Sequence, residues 1–358
     1  MRALRFHGAR KLSVEDVPEP REPGPGEVLL RPLMCGICGT DLHEYTDGPI
    51  VTPARPHPLT GAELPQIMGH EFAAVVAAAG PGVTHVRDGD MCTVMPLIAC
   101  GRCYECVRGH GHLCRTMACT GLSSAWGGLA DLAIVSAQQV VPVGDGLTAQ
   151  QAALIEPAAV AAYGIDRGRL QPGQTVLVTG AGPIGSLATL YALAAGAATV
   201  VVSEPDPARR EHASWLGEGL GEVIVADPGA EGVPEIIAGI THGTGADLAV
   251  ECAGHESALN LCVDVVRPAG TVVQTALHIR PAAIRADVLA LKDLTLAGTW
   301  CYPVQDFPRI VALVASGRLP AERVISSVVP LESAVTAGFD RLVTRGTGEV
   351  KVLIEVGS

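Results

Sequence analysis

Thr175-Val176-Leu177-Val178-Thr179-Gly180-Ala181-Gly182-Pro183-Ile184-Gly185 decides the architecture. Its opening residues form an unbroken run rich in β-branched side chains, as expected of a strand buried on both faces of a parallel sheet. A glycine turn follows, and then the apolar helical pattern from Leu187 to Ala195. By itself this glycine spacing is a weak signal that many surface loops share. Between a strand and a helix it is informative: Gly180 permits the tight turn, Gly182 lets a pyrophosphate approach the backbone, and Gly185 lets helix pack on strand. Pro183 and Ile184 open the helix, whose free N–H groups and positive dipole end face the phosphates. A second strand, Thr199 to Val202, runs into Glu204, 24 residues after Gly180. A carboxylate there accepts from both ribose hydroxyls of NAD and repels the 2′-phosphate of NADP, although Arg209 and Arg210 nearby weaken that preference.

Strand and helix patterns go on alternating outward from this point. Glu222-Val223-Ile224-Val225, Ala246 to Glu251 and Gly270-Thr271-Val272-Val273 repeat the strand pattern, which predicts a doubly wound parallel α/β sheet. The first 150 or so residues read differently: short strands, such as Val28 to Leu33 and Phe72 to Val76, are separated by clusters like Pro23-Gly24-Pro25-Gly26. They predict a smaller β-rich, barrel-like domain, with an irregular excursion from Asp47 to Gln66 that holds five prolines. After about Leu294 come a helix candidate, Phe307 to Ser316, and a closing strand, Val350 to Val356, read as returning to the first domain. The expected division is residues 1–160, 161–299 and 300–358.

The chain has 358 residues with 48% apolar side chains, enough for two domains with their own cores. Its 25 Lys and Arg against 37 Asp and Glu give a net charge of −12, with no basic cluster, so a nucleic-acid partner is not expected. No apolar run approaches the 18–20 or so residues of a membrane span, and the start lacks a segment of signal-peptide length. The expectation is a cytoplasmic protein.

The 11 cysteines are an odd, clustered set, which disfavours a disulfide framework. Cys100, Cys103, Cys106 and Cys114 place four thiolates within reach of one tetrahedral centre; four sulfur ligands close the shell, so zinc there would be structural, with disulfides or an iron–sulfur cluster as the alternatives. A dispersed set, Cys38, His70, Glu71 and Glu156, supplies one sulfur, one nitrogen and a choice of carboxylate oxygens. That suits a catalytic zinc with an open position, although each residue alone also reads as ordinary core or helix-end chemistry. Cys92, Cys119, Cys252, Cys262 and Cys301 read as small buried hydrophobes.

Cys35-Gly36-Ile37-Cys38-Gly39-Thr40-Asp41-Leu42-His43-Glu44-Tyr45, Gly69-His70-Glu71, the four-cysteine lobe at about 96–116, Leu154-Ile155-Glu156-Pro157 and the glycine turn occur in this order. Together they resemble the zinc-containing medium-chain dehydrogenase/reductase superfamily over essentially the whole chain. The Glu-Pro pair resembles its polyol branch, and the Pro-rich segment from Asp47 to Gly61 is similar to that of bacterial (R,R)-2,3-butanediol dehydrogenases. The resemblance implies a Rossmann NAD-binding domain joined to a GroES-like catalytic domain, and two zinc ions per chain. It makes Cys38 and His70 catalytic-zinc ligands, with Glu71 and Glu156 ligating directly or through water. Thr40 and His43 become a proton relay. The implied reaction interconverts a vicinal diol and a hydroxyketone with hydride transfer to or from NAD; sorbitol, xylitol, threonine or glycerol are the alternative substrates, and a catalytically silent NAD-binding protein is the alternative from another class. A homodimer or homotetramer is implied as well, formed through a sheet edge for which Thr295 to Trp300 is the candidate.

Overall fold

The computed structural model describes residues 1–144, 146–230, 232–344 and 346–357. Its parallel sheet has six strands in the spatial order Glu222–Ala226, Thr199–Ser203, Thr175–Thr179, Ala246–Glu251, Val266–Gln274 and Thr295–Gly298. The first strand in sequence, Thr175–Thr179, lies in the middle, between Thr199–Ser203 on one side and Ala246–Glu251 on the other. Strand order therefore reverses there, and a crevice opens at the C-terminal ends, where Gly180, Glu204 and Cys252 emerge. Both faces of the central strands are covered: Val176, Leu177, Val178, Val200 and Val201 are fully buried, which is why the run carries no polar alternation. This is the doubly wound α/β sheet expected from the sequence. The outer strand stops at Gly298, two residues short of the expected Trp300, and Trp300 is half-exposed.

The second unit is a mixed sheet of seven strands. Along its main path lie Val140–Pro142, Met91–Val94, Glu71–Ala79, Glu27–Gly36, Lys351–Glu355 and Ile325–Pro330, and Ala133–Ser136 pairs with Glu27–Gly36. Lys351–Glu355 thus runs antiparallel to Glu27–Gly36 and parallel to Ile325–Pro330, in the middle of a sheet begun more than 300 residues earlier. A smaller sheet joins Lys11–Asp16, Arg2–Gly8 and Gln66–Ile67. The stretch from Gly48 to Pro65 contains no helix or strand.

The helix Ile155–Arg167 joins the two units. Its small residues Ala158, Ala159, Ala161 and Ala162 are buried against Pro183–Ala194 and Phe307–Ala315. One apolar core runs continuously from Met34 and Ala73 of the β-rich unit to Val176 and Val178 of the parallel sheet. Alanine dominates that seam because close approach of helices needs short side chains, and only 3% of the chain is aromatic. No helix among the described residues is long and apolar enough to cross a membrane.

Candidate active site

The strand Glu27–Gly36 delivers the chain to Cys38, which caps the N-terminus of the helix Gly39–Asp47. Asp41 sits one turn in, where its Oδ2 accepts the Cys38 backbone N–H at 2.9 Å. A second strand starts at Glu71, immediately after Gly69 and His70. Gly69 has φ +98°, and a Cβ there would come within 2.6 Å of the Cys35 Sγ, so only glycine lets the chain turn His70 toward Cys38. One ligand atom each from Cys38, His70 and Glu71 then lie within 4.8 Å of one another. Thr40 and His43, three residues apart, share one face of the Gly39–Asp47 helix, and both are half-buried.

Glu156 occupies the first turn of Ile155–Arg167 and is buried, but it stands outside that close group of three. Burial pushes its carboxyl up to about 7; His70 works against this and Glu71 with it, so both are near enough to act on it. The Tyr302 phenol, fully buried, faces the same carboxylate. Cys119 and Cys301 lie close enough to feel Glu156, His70 and Cys38. Cys119, Cys92 and Cys262 are buried, as the sequence suggested, whereas Cys252 and Cys301 are only partly covered.

The donor set fits zinc. Asp41, Glu71 and Glu156 are carboxylates at most 6% exposed, and the Cys38 thiol lies among them. The basic groups facing this cluster are His70 and Lys351, and Lys351 is committed to an ion pair with Glu71 and a hydrogen bond of 2.9 Å to the Ile37 carbonyl. Buried negative charge in that excess calls for a cation. Burial opposes a charge on His70, yet Asp41 and Cys38 hold its pKa well above the usual value, a place that a metal ion would take over from the proton. The His70 Nδ1 lies 3.4 Å from the Asp41 Oδ1.

Three residues escaped the sequence reading. Asp41 was visible, as an acidic side chain three residues after a helix cap. Lys351 offered only a charge at the start of an apolar strand, 280 residues from Glu71. Tyr302 offered only its rarity, as one of five tyrosines.

In the crevice, Gly180 has φ +87° and a Cβ there would sit 3.2 Å from Ala253. Gly182 faces open space, while a Cβ on Gly185 would lie 1.9 Å from the Gly180 carbonyl oxygen. Pro183 is the first residue of the helix, with Ile184 behind it. The Glu204 carboxylate is buried and accepts the N–H groups of Ala181 (2.7 Å) and Asp206 (2.8 Å), tying the glycine turn to the second strand. Arg209 donates to the Glu349 carbonyl at 3.2 Å, beside a cavity of about 480 Å³ that it lines with Pro205, Asp206, Thr344 and Thr347. Arg210 is engaged with the Glu204 carbonyl and with Asp227.

The sulfurs of Cys100, Cys103, Cys106 and Cys114 likewise lie within 4.8 Å of one another. Backbone N–H groups aim into the cluster, from Cys103 to the Cys100 Sγ and from Cys100 to the Cys114 Sγ, each at 3.3 Å. Backbone N–H groups of Arg115 and Cys106 hold the Cys103 thiol down at about 6, so it is ready as the thiolate that zinc takes.

Residues 24–145 match the alcohol dehydrogenase GroES-like domain, and residues 183–316 match the zinc-binding dehydrogenase family. The chain is 35% identical to an (R,R)-butanediol dehydrogenase of Neisseria gonorrhoeae, over 99% of both proteins. It is also 35% identical to an L-threonine 3-dehydrogenase of Pyrococcus horikoshii, over 99% of this chain and 98% of that one. The crystal structure of 2R,3R-butanediol dehydrogenase from Bacillus subtilis superimposes with a TM-score of 0.91 at 32% identity, covering 99% of each chain. The chain belongs to the zinc-binding alcohol dehydrogenases, enzymes of a GroES-like and a Rossmann unit that work with zinc and a nicotinamide cofactor.

Proposed function

We propose that this enzyme interconverts a vicinal diol and a hydroxyketone, 2,3-butanediol and acetoin, with diacetyl as a further carbonyl substrate. The observation that carries the reading is the convergence of Cys38, His70 and Glu71 within 4.8 Å of one another, in a chain similar from end to end to butanediol dehydrogenases. Cys38, His70 and one of the two carboxylates, Glu71 or Glu156, would hold the catalytic zinc, and the four clustered cysteines the structural one. When bound, zinc polarises the substrate oxygen and the nicotinamide accepts or returns the hydride.

The chain's own residues do the rest. Thr40 and His43, on one helix face, carry the hydroxyl proton from the buried site toward the surface. Lys351 holds Glu71 in a direct ion pair, whereas it acts on Glu156 only through space, so Glu156 is the carboxylate that can turn toward a second substrate hydroxyl. That is a physical reason for the site to prefer diols. Glu204 at the crevice favours the free ribose hydroxyls of NAD over the phosphate of NADP.

A homodimer or homotetramer in the cytoplasm is part of the proposal. Among the described residues the outer edge of Thr295–Gly298 has no neighbouring strand in the sheet, and Leu296 and Trp300 are exposed beside it. The division near residues 160 and 299 follows the change from one sheet to the other. L-Threonine oxidation is the second reading, favoured by the equal identity to the Pyrococcus horikoshii enzyme.

NADH formation with (R,R)-, meso- and (S,S)-2,3-butanediol, sorbitol and L-threonine, with zinc content on the same sample, tests this. Turnover of one or two butanediol isomers at two zinc ions per chain is expected. Two zinc ions with turnover of threonine or sorbitol alone would move the substrate assignment to those compounds.

A further inference from the structure

Glu44 follows His43 on the Gly39–Asp47 helix, and its side chain is fully buried. Among the described residues it forms no ion pair. Instead three consecutive backbone N–H groups of the Pro-rich excursion converge on its carboxylate. Ile50 donates to both oxygens at 3.1 Å, Val51 donates to Oε1, and Thr52 donates to Oε1 at 3.3 Å. A carboxylate binds such a set more strongly than a neutral acceptor would. Gly48 makes room for it. With φ −68° the backbone there suits any residue, but a Cβ would lie 2.4 Å from the Glu44 carbonyl oxygen and 2.7 Å from its Oε2.

The far end of the excursion is held on the other flank of the metal site. The Thr60 hydroxyl donates to the Ser123 carbonyl at 2.6 Å, and the Gln66 amide to the Ser124 carbonyl at 2.6 Å. That segment packs directly on the residue before His70: Gly128 donates to the Gly69 carbonyl at 2.8 Å, and a Cβ on Gly121 would lie 2.0 Å from the same oxygen. Between its anchors the excursion braces itself, with His57 donating to the Ala62 carbonyl and Gly61 to the His57 carbonyl, both at 2.8 Å. Its prolines restrict the chain before it is anchored. The strap therefore joins the helix of Cys38, Thr40 and His43 to the segment that backs His70.

We infer that Glu44 is a positioning residue for substrate: by clamping residues 50–52 it sets the wall of the alcohol cleft and selects among alcohols by size. The inference rests on the alcohol-oxidising reading of the Cys38, His70 and Glu71 centre. Among the described residues, neither Glu44 nor the amides of residues 50–52 hydrogen-bond to Cys38, His70, Glu71 or the glycine turn, so loss of the clamp is expected to act on substrate fit before the hydride step.

The test uses the full-length, zinc-loaded enzyme as wild type, Glu44→Gln and Gly48→Ala. Hydrogen exchange at the amides of residues 50–52 is expected to speed up at least about tenfold in both variants. KM for the alcohol that the wild type prefers is expected to rise about ten- to a hundredfold, with kcat within about threefold. Discrimination between four-carbon diols and six-carbon polyols should shrink, while zinc content and NADH affinity stay at wild-type values. A wild type that prefers another alcohol would fail the butanediol assignment alone, because the KM split is then read on that alcohol. Unchanged exchange and KM would overturn the role of Glu44, and so would joint loss of zinc and NADH binding, which would mark a general effect on folding.

Discussion

The Asp41 Oδ1 lies 3.4 Å from the His70 Nδ1, both atoms are buried, and neither has a hydrogen-bond partner of its own among the described residues. The other oxygen of Asp41 holds the Cys38 backbone N–H, so one carboxylate spans the proposed sulfur and nitrogen ligands. A carboxylate behind a ligating histidine fixes the ring and raises its basicity, and its loss costs about 10- to 100-fold in metal affinity or activity. Asp41→Asn is therefore expected to weaken zinc binding by about tenfold or more in a chelator competition, with NADH affinity intact. Unchanged zinc affinity would reduce Asp41 to a helix-capping residue.

Lys351 and Glu71 are an ion pair with almost no exposure, joining the closing strand to the metal site. Removing one partner of such a pair strands the other charge and costs about 3–5 kcal/mol, whereas replacing both is close to neutral. Lys351→Met should lower stability toward denaturant by that amount, and adding Glu71→Gln should restore most of it. Equal instability of the single and double variants would show that packing of the Lys351 stem matters more than its charge.

Glu204 braces the glycine turn through Ala181 while presenting a buried carboxylate at the crevice. Glu204→Ala should raise the ratio of NADP to NAD efficiency by about tenfold or more, since about 1.4 kcal/mol of lost discrimination is a factor of ten. Efficiency falling equally with both cofactors would confine Glu204 to shaping the turn.

Asp131 fastens the first strand: it accepts the Arg2 backbone N–H at 2.6 Å and the Arg2 guanidinium at 2.7 Å. Burial works to raise its pKa, but the hydrogen bonds from Arg2 outweigh this and leave it below the ordinary 3.8. A carboxyl whose folded pKa is lowered stabilises the fold above its unfolded pKa and loses that contribution as pH falls through the folded one. The stability difference between wild type and Asp131→Asn should thus be constant from pH 7 to about 5 and shrink below about 3.8. A difference that persists unchanged at the lowest pH would exclude the charge as its source.

Much of the proposed chemistry could be read along the chain because it depends on near neighbours. The glycine turn, Glu204, the four clustered cysteines and the run from Cys38 to His43 owe their meaning to spacing within one strand, turn or helix, where geometry follows from local backbone rules. The parallel strands were legible for a related reason: burial on both faces leaves an unbroken apolar run that alternating surface strands lack. Gly69 shows the boundary, since its need for a positive φ is local but the Cys35 sulfur that forbids a side chain comes from another strand.

Tertiary structure alone decided which charges meet. Lys351 reaches Glu71 because the last strand enters the middle of a sheet begun near residue 27, a pairing that local pattern cannot encode. Tyr302 meets Glu156 only once the two units share a core. The physical reason is the same in each case. A buried charge is tolerable only beside its partners, and those partners are chosen by how the sheets close, not by distance along the chain.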